Sequence, residues 1–190
     1  MRMRSAKLAR MPKLDESRPF IAVRIALLTV SDTRELANDT SGDTLASMIA
    51  GAGHELADRA IVKDDVDTIR AKVRNWIDDP GIDVVISTGG TGFTGRDVTP
   101  EAIKPLFEKE IEGFSTVFHM ISFQKVGTST IQSRACGGLA RGTYIFCLPG
   151  SPGACKDAWN GILVHQLDNR HRPCNLVEIM PRLEEHRRGG

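Results

Sequence analysis

The stretch ISTGGTGFTGRDVTPE, residues 86–101, ends an apolar run in closely spaced glycines and follows them with Arg96 and Asp97. Gly89, Gly90 and Gly92 permit positive φ and let successive N–H groups approach an anion with no Cβ in the way. The spacing is not that of a P-loop, because no Gly-Lys-Ser/Thr follows, and no helix opens inside the glycines as the dinucleotide fingerprint requires. An ordinary strand-to-helix turn would use the same glycines. What sets this one apart is its company. Arg96 suits a phosphate, whereas Asp97 beside a phosphate needs a cation between them. Mg²⁺ typically takes one or two carboxylates together with substrate phosphates, so Asp97 reads as a candidate metal ligand, with capping of the next helix as its alternative. Asp64, in AIVKDD, offers a second carboxylate at the end of another apolar run. Either Asp64 or Asp65 could cap the helix that starts near Val66.

These residues need elements to bring them together, and the chain alternates strand and helix patterns. IAVRIALLTV, residues 21–30, is nearly all apolar and reads as a strand buried on both faces. The polar loop after it leads into DTLASMIAGAG, where Leu45, Met48 and Ile49 recur at helical spacing. HELADRAIV is a second strand, and DVDTIRAKVRNWIDDPG a helix with Val66, Ile69, Val73, Trp76 and Ile77 on one stripe. IDVVIST is a third strand feeding the glycine loop, with Thr99 as expected N-cap and Pro100 in the first turn of the next helix. Residues 101–124 read as a helix and a second one, broken near Gly113; RGTYIFCLPG is a further strand and SPGACKDAWNGILVHQL the last helix. This alternation implies a mostly parallel sheet with helices on both faces and a ligand site beyond the carboxyl ends of its strands. The loops TVSD, STGGTG and CLPGSPG all follow strands and converge there.

At 190 residues the chain suits one well-buried domain, expected over residues 20–181, with a disordered arm at 1–19 and a frayed tail at 182–190. The arm is basic but lacks the apolar stretch of a signal peptide, and no apolar run reaches the ~20 residues of a membrane span. Net charge of +1 gives the molecule no field for wrapping nucleic acid. Cys136, Cys147, Cys155 and Cys174 show no C-x-x-C spacing, which suits reduced thiols in a cytoplasmic protein. The histidines lack metal-ligand spacing.

TVSDTR, the SGD opening the first helix, IVKDD, TGGTGFTGRDVTPEAI, GTSTIQSR and LPGSPGACKDAW stand in the order and context of the MoaB/MogA family of molybdenum-cofactor biosynthesis proteins, and the layout with an RPCNL tail is most similar to its MoaB branch. The resemblance spans roughly residues 20–180. It implies a three-layer α/β/α MogA-like domain that assembles into homotrimers or homohexamers. It also implies binding of molybdopterin and MgATP, transfer of AMP to the molybdopterin phosphate, and hand-over to a molybdenum-insertion enzyme. Gly89, Gly90, Thr91 and Gly92 then match the family's phosphate-binding turn, Asp64 and Asp97 its two functional aspartates, and Ser31, Asp32, Gly150 and Ser151 further pocket loops. Members of the MoaB branch that have lost one or both aspartates are inactive as adenylyltransferases; this chain keeps both, and a non-catalytic scaffold binding molybdopterin or nucleotide is the alternative. The apolar residues Phe114, Val117, Phe118, Met120, Ile121 and Phe123 exceed what one helix stripe buries internally, so part of residues 113–134 is expected at a subunit contact.

Overall fold

The computed structural model describes residues 13–185. Its strands are β1 (Lys13–Leu14), β2 (Arg24–Val30), β3 (Glu55–Val62), β4 (Val84–Thr88), β5 (Lys109–Glu110), β6 (Cys136–Ala140), β7 (Thr143–Leu148) and β8 (His171–Arg172). Its helices are α1 (Thr40–Gly51), α2 (Val66–Ile77), α3 (Thr99–Ile103), α4 (Glu112–Val126), α5 (Pro152–Ala158) and α6 (Val164–Gln166), the last two joined by a π-turn at Trp159–Leu163. The main sheet runs β3-β2-β4-β7-β6-β5, parallel from β3 to β7 and antiparallel at the β7-β6-β5 edge.

Alternate residues of the central strands feed two cores, as a sheet covered on both faces requires. Ile25, Leu27 and Ile86 face α1, α4 and α5, meeting Leu45, Phe118 and Trp159. Ala26, Leu28 and Val85 face α2 and α3, meeting Ile69, Trp76 and Ile103. The fold is therefore the expected three-layer α/β/α arrangement.

Four local expectations change. Of the arm at 1–19, residues 1–12 lie outside the described residues, while 13–19 are held: β1 pairs with β8, and Arg18 donates to the Asn169 carbonyl (2.8 Å) and pairs with Glu178. Local composition alone carries no trace of those distant partners. Thr99 is not the cap of α3, because it lies inside the helix, and its hydroxyl donates to the Gly89 carbonyl instead (2.8 Å). Residues 101–124 are interrupted by Pro105 and the short β5 rather than by Gly113, which sits inside α4. CGGLA forms β6, a strand that its glycines hide.

Candidate functional site

The chain leaves β2 toward α1 on one face of the sheet and leaves β4 toward α3 on the other, so a crevice opens between the carboxyl ends of these neighbours. Thr29 pairs with Thr88, and Thr88 with Leu148, so β2, β4 and β7 end at one level and deliver Ser31, Gly89 and Gly150 to the same rim. A cleft of about 130 Å³ there is lined by Ser31, Arg34, Asp39, Ser41, Gly89 and Gly150.

The glycine turn has the conformation its composition suggests. Gly89 has φ +101° and Gly90 φ +63°. A Cβ on Gly89 would run into the Val30 carbonyl, and one on Gly90 would run into the Thr99 hydroxyl and stand 3.0 Å from Asp64 Oδ1. Gly92 has no positive φ; it stays side-chain-free because a Cβ would lie 2.8 Å from Asp97 Oδ2. Gly150 closes over the turn, where an added Cβ would stand 3.2 Å from Gly89 Cα. Backbone bonds pin both ends: Gly89 N–H donates to Leu148 (3.1 Å) and Thr99 N–H to Gly90 (2.9 Å).

Asp64 and Asp97 flank this turn, in different states. Asp65 takes the capping of α2, accepting from the Thr68 N–H (2.8 Å) and hydroxyl (2.6 Å), which leaves Asp64 no helix to serve. Burial, with the charges of Asp32 and Asp97 nearby, pushes the Asp64 carboxyl above its ordinary 3.8 against the pull of Arg96. Asp97 caps no helix either. Its Oδ2 accepts from the Thr94 N–H (2.9 Å) and hydroxyl (2.6 Å). Burial pushes the Asp97 carboxyl up, but these bonds, the Gly92 N–H and the Arg134 charge together hold it below the ordinary value.

The raised Asp64 carboxyl ties the stability of the fold to pH. A folded-state value above 3.8 means that the protonated form is the favoured one in the fold, so the stability it confers is present below pH 3.8 and lost as pH rises through the folded value. Asp64→Asn removes that loss. It is expected to raise the melting temperature at pH 7, with the gain shrinking as the pH falls toward 4. Calorimetry at the two pH values checks it, and an unchanged or lower melting temperature at pH 7 would contradict the crowding of charge at this turn.

The remaining candidates share this rim. Asp32 accepts from the Asp64 N–H (3.4 Å) and pairs with Arg96, whose side chain is otherwise exposed. Ser31 Oγ accepts from the Thr33 and Arg34 N–H groups, and Ser151 caps α5 through the Ala154 N–H, all at 3.2 Å. Thr91 is buried, and its carbonyl accepts from Arg134 N–H (2.9 Å). Two groups escaped the sequence reading. Buried Asp39 caps α1 and gathers Thr29, Arg59 and the Gly42 N–H below the cleft. Arg134 grips the glycine turn from the entry to β6. A capping signal before α1 points to Asp39; nothing in the spacing points to Arg134.

Among the described residues no three or more His, Cys, Asp or Glu are grouped to hold a metal by themselves. Two carboxylates flanking the glycine turn would suit a divalent cation that brings its own phosphate ligands. A larger apolar cavity of about 370 Å³, beside α4 and the π-turn, contains none of these loop residues. No helix among the described residues is long and apolar enough to cross a membrane.

Residues 26–169 match the family described as a probable molybdopterin binding domain. The chain is 52% identical over 160 residues to molybdenum cofactor biosynthesis protein B of Escherichia coli K12, covering 84% of this chain and 94% of that protein. A crystal structure of a molybdenum cofactor biosynthesis protein B superposes with a TM-score of 0.80 at 37% identity, covering 88% of this chain and 99% of that one. The tungsten cofactor synthesizing protein MoaB of Pyrococcus furiosus superposes with a TM-score of 0.66 at 36% identity, covering 73% and 89%.

Proposed function

Because this chain belongs to the MoaB/MogA family, in its MoaB branch, we propose that it acts in molybdenum-cofactor biosynthesis by binding molybdopterin and MgATP at the rim and transferring AMP to the molybdopterin phosphate. The observation that carries the reading is Asp64. Relieved of capping by Asp65 and crowded by Asp32 and Asp97, it holds a carboxylate where the free protein gains nothing from it. Natural chains tolerate such charge where a ligand uses it.

The reaction asks little acid–base chemistry of the protein. An oxygen of the molybdopterin phosphate, already anionic near neutral pH, bonds to the α-phosphorus of ATP, and the bond from that phosphorus to the bridging oxygen breaks. Pyrophosphate leaves and a phosphoanhydride forms, with no proton to place. Positioning and charge neutralisation carry the rate. Gly89 and Gly92, whose own N–H groups serve Leu148 and Asp97, shape the turn so that the N–H groups of Gly90 and Thr91 cradle phosphate, and Arg96 reaches a phosphate when it leaves Asp32. Ser31, Asp32, Gly150 and Ser151 shape the neighbouring loops. Asp97, with Asp64 beside it, would hold Mg²⁺, which when bound offsets charge on the ATP phosphates. The product is the substrate of an enzyme that inserts molybdenum.

Incubation with MgATP and molybdopterin tests the proposal directly through pyrophosphate release. Ligand binding with no pyrophosphate would favour the second reading, a non-catalytic scaffold of the same pathway. The Asp32–Arg96 pair supports that alternative, because it occupies the guanidinium expected to serve a phosphate.

The chain also presents a surface for self-association. α4 buries Phe114 and Phe118 but exposes Val117, Met120, Phe123 and Val126, and the following turn exposes Ile131. Apolar side chains this closely spaced mark interface cores. A trimer or hexamer with this face at its contacts is the expected state at micromolar concentration, and sedimentation showing only a 20.8 kDa species would exclude it.

A further inference from the structure

Arg134 grips the glycine turn from outside. Arg134 enters β6 just after the 3-10 turn Gly127–Gln132, and its own N–H donates to the Thr91 carbonyl (2.9 Å). Its Nε donates to the Gly92 carbonyl (2.8 Å) and its Nη2 to the Asp97 carbonyl (2.7 Å). Nη1 pairs with Glu101 on α3, and the guanidinium lies 5.5 Å from the Phe93 ring centroid. One residue thus fixes the peptide planes after Thr91, Gly92 and Asp97. A trans peptide points its carbonyl and its N–H in opposite directions, so the N–H groups of Gly92, Phe93 and Val98 are turned away from Arg134. The first of them supports the Asp97 carboxylate.

We infer that Arg134 is a positioning residue for AMP transfer, setting the orientation of the Gly92, Phe93 and Val98 amides and, through Gly92, of the Asp97 carboxylate without touching substrate. The inference rests on the reading of this site as an adenylyl-transfer site. The chemistry calls for arginine, because a planar fork with several donors holds carbonyls at two chain positions and an ion pair at once, whereas the lysine ammonium is a point charge on a flexible stem. Misplacement of a reacting group by about 1 Å costs on the order of 10²-fold in rate, which sets the expected scale.

The test compares Arg134→Ala and Arg134→Lys with Glu101→Gln, which removes only the ion-pair partner. Each protein is assayed for pyrophosphate release with MgATP and molybdopterin, and for amide hydrogen exchange across residues 90–98. Arg134→Ala is expected to lower kcat by about 10²-fold with KM for ATP within about threefold, and to speed exchange in the turn at least about tenfold while β2 and β4 exchange as in the wild type. Arg134→Lys recovers little of either, and Glu101→Gln behaves as wild type. Wild-type kcat in Arg134→Ala, or a loss confined to KM, overturns the positioning role. A wild-type protein that releases no pyrophosphate overturns the transfer reading instead; the exchange comparison then decides on Arg134, and unchanged exchange in Arg134→Ala overturns it.

Discussion

The Asp97→Asn protein is expected to fold normally, to bind MgATP within a few-fold of wild type, and to release pyrophosphate at least about 10²-fold more slowly, the scale of losing one preorganised group that acts on transition-state charge. The fold is spared because both Thr94 bonds fall on a single oxygen, Oδ2, which an amide oxygen can replace. What disappears is the negative charge. The wild-type carboxyl is held below its ordinary value, so it is ionised throughout the neutral range, and its rate contribution should not titrate between pH 5 and 8. A cation that relies on substrate phosphates and one or two carboxylates loses a full ligand charge when Asp97 becomes neutral. Steady-state kinetics of pyrophosphate release with and without molybdopterin measures the effect. Undiminished turnover in Asp97→Asn would remove Asp97 from the chemistry and with it the main role assigned to the carboxylates.

Strand termini and glycine turns were legible in the sequence because their causes are local. The apolar, β-branched run at residues 21–30 reads as a strand covered on both faces and contains Arg24–Val30, and Gly89 and Gly90 take up positive φ where no other residue fits comfortably. Tertiary causes were not legible. β6 contains Gly137 and Gly138, which argue against a strand, yet a Cβ on Gly137 would stand 3.0 Å from the Phe146 ring and one on Gly138 would enter the Phe107 ring. Those glycines leave room for aromatic rings supplied from elsewhere in the chain. Asp64 and Asp65 were equivalent on paper, and only the direction of α2 gave the cap to Asp65. Thr99 carried every sign of an N-cap but lies one position inside the helix, where its hydroxyl locks the turn through Gly89. Arg134 acts on residues 33 to 43 positions away, and no periodicity reports such a contact.

Gly90→Val is expected to damage both the fold and the site, and a second glycine in the same loop separates the two causes. Gly90 sits at φ +63°, a conformation that costs a side-chain-bearing residue roughly 1–2 kcal/mol and a β-branched one more. The added Cβ would also overlap the Thr99 hydroxyl and press on Asp64 Oδ1 at 3.0 Å, an overpacking cost of about 1–3 kcal/mol. At ~2–4 °C per kcal/mol for a chain of this size, the melting temperature should fall on the order of 5–15 °C. Relief of the overlap requires Thr99 to release the Gly89 carbonyl or Asp64 to swing away, and either movement opens the turn that presents N–H groups to phosphate. ATP affinity measured well below the lowered melting temperature should therefore drop at least about tenfold. Gly95 has no positive φ and nothing within 4 Å of an added Cβ, so Gly95→Ala should change stability by no more than about 0.5 kcal/mol and bind ATP as wild type does. A destabilised Gly90→Val protein that still binds ATP with wild-type affinity would reduce the glycine turn to a structural corner between β4 and α3, and phosphate recognition would have to be sought in the TVSD and LPGSP loops instead.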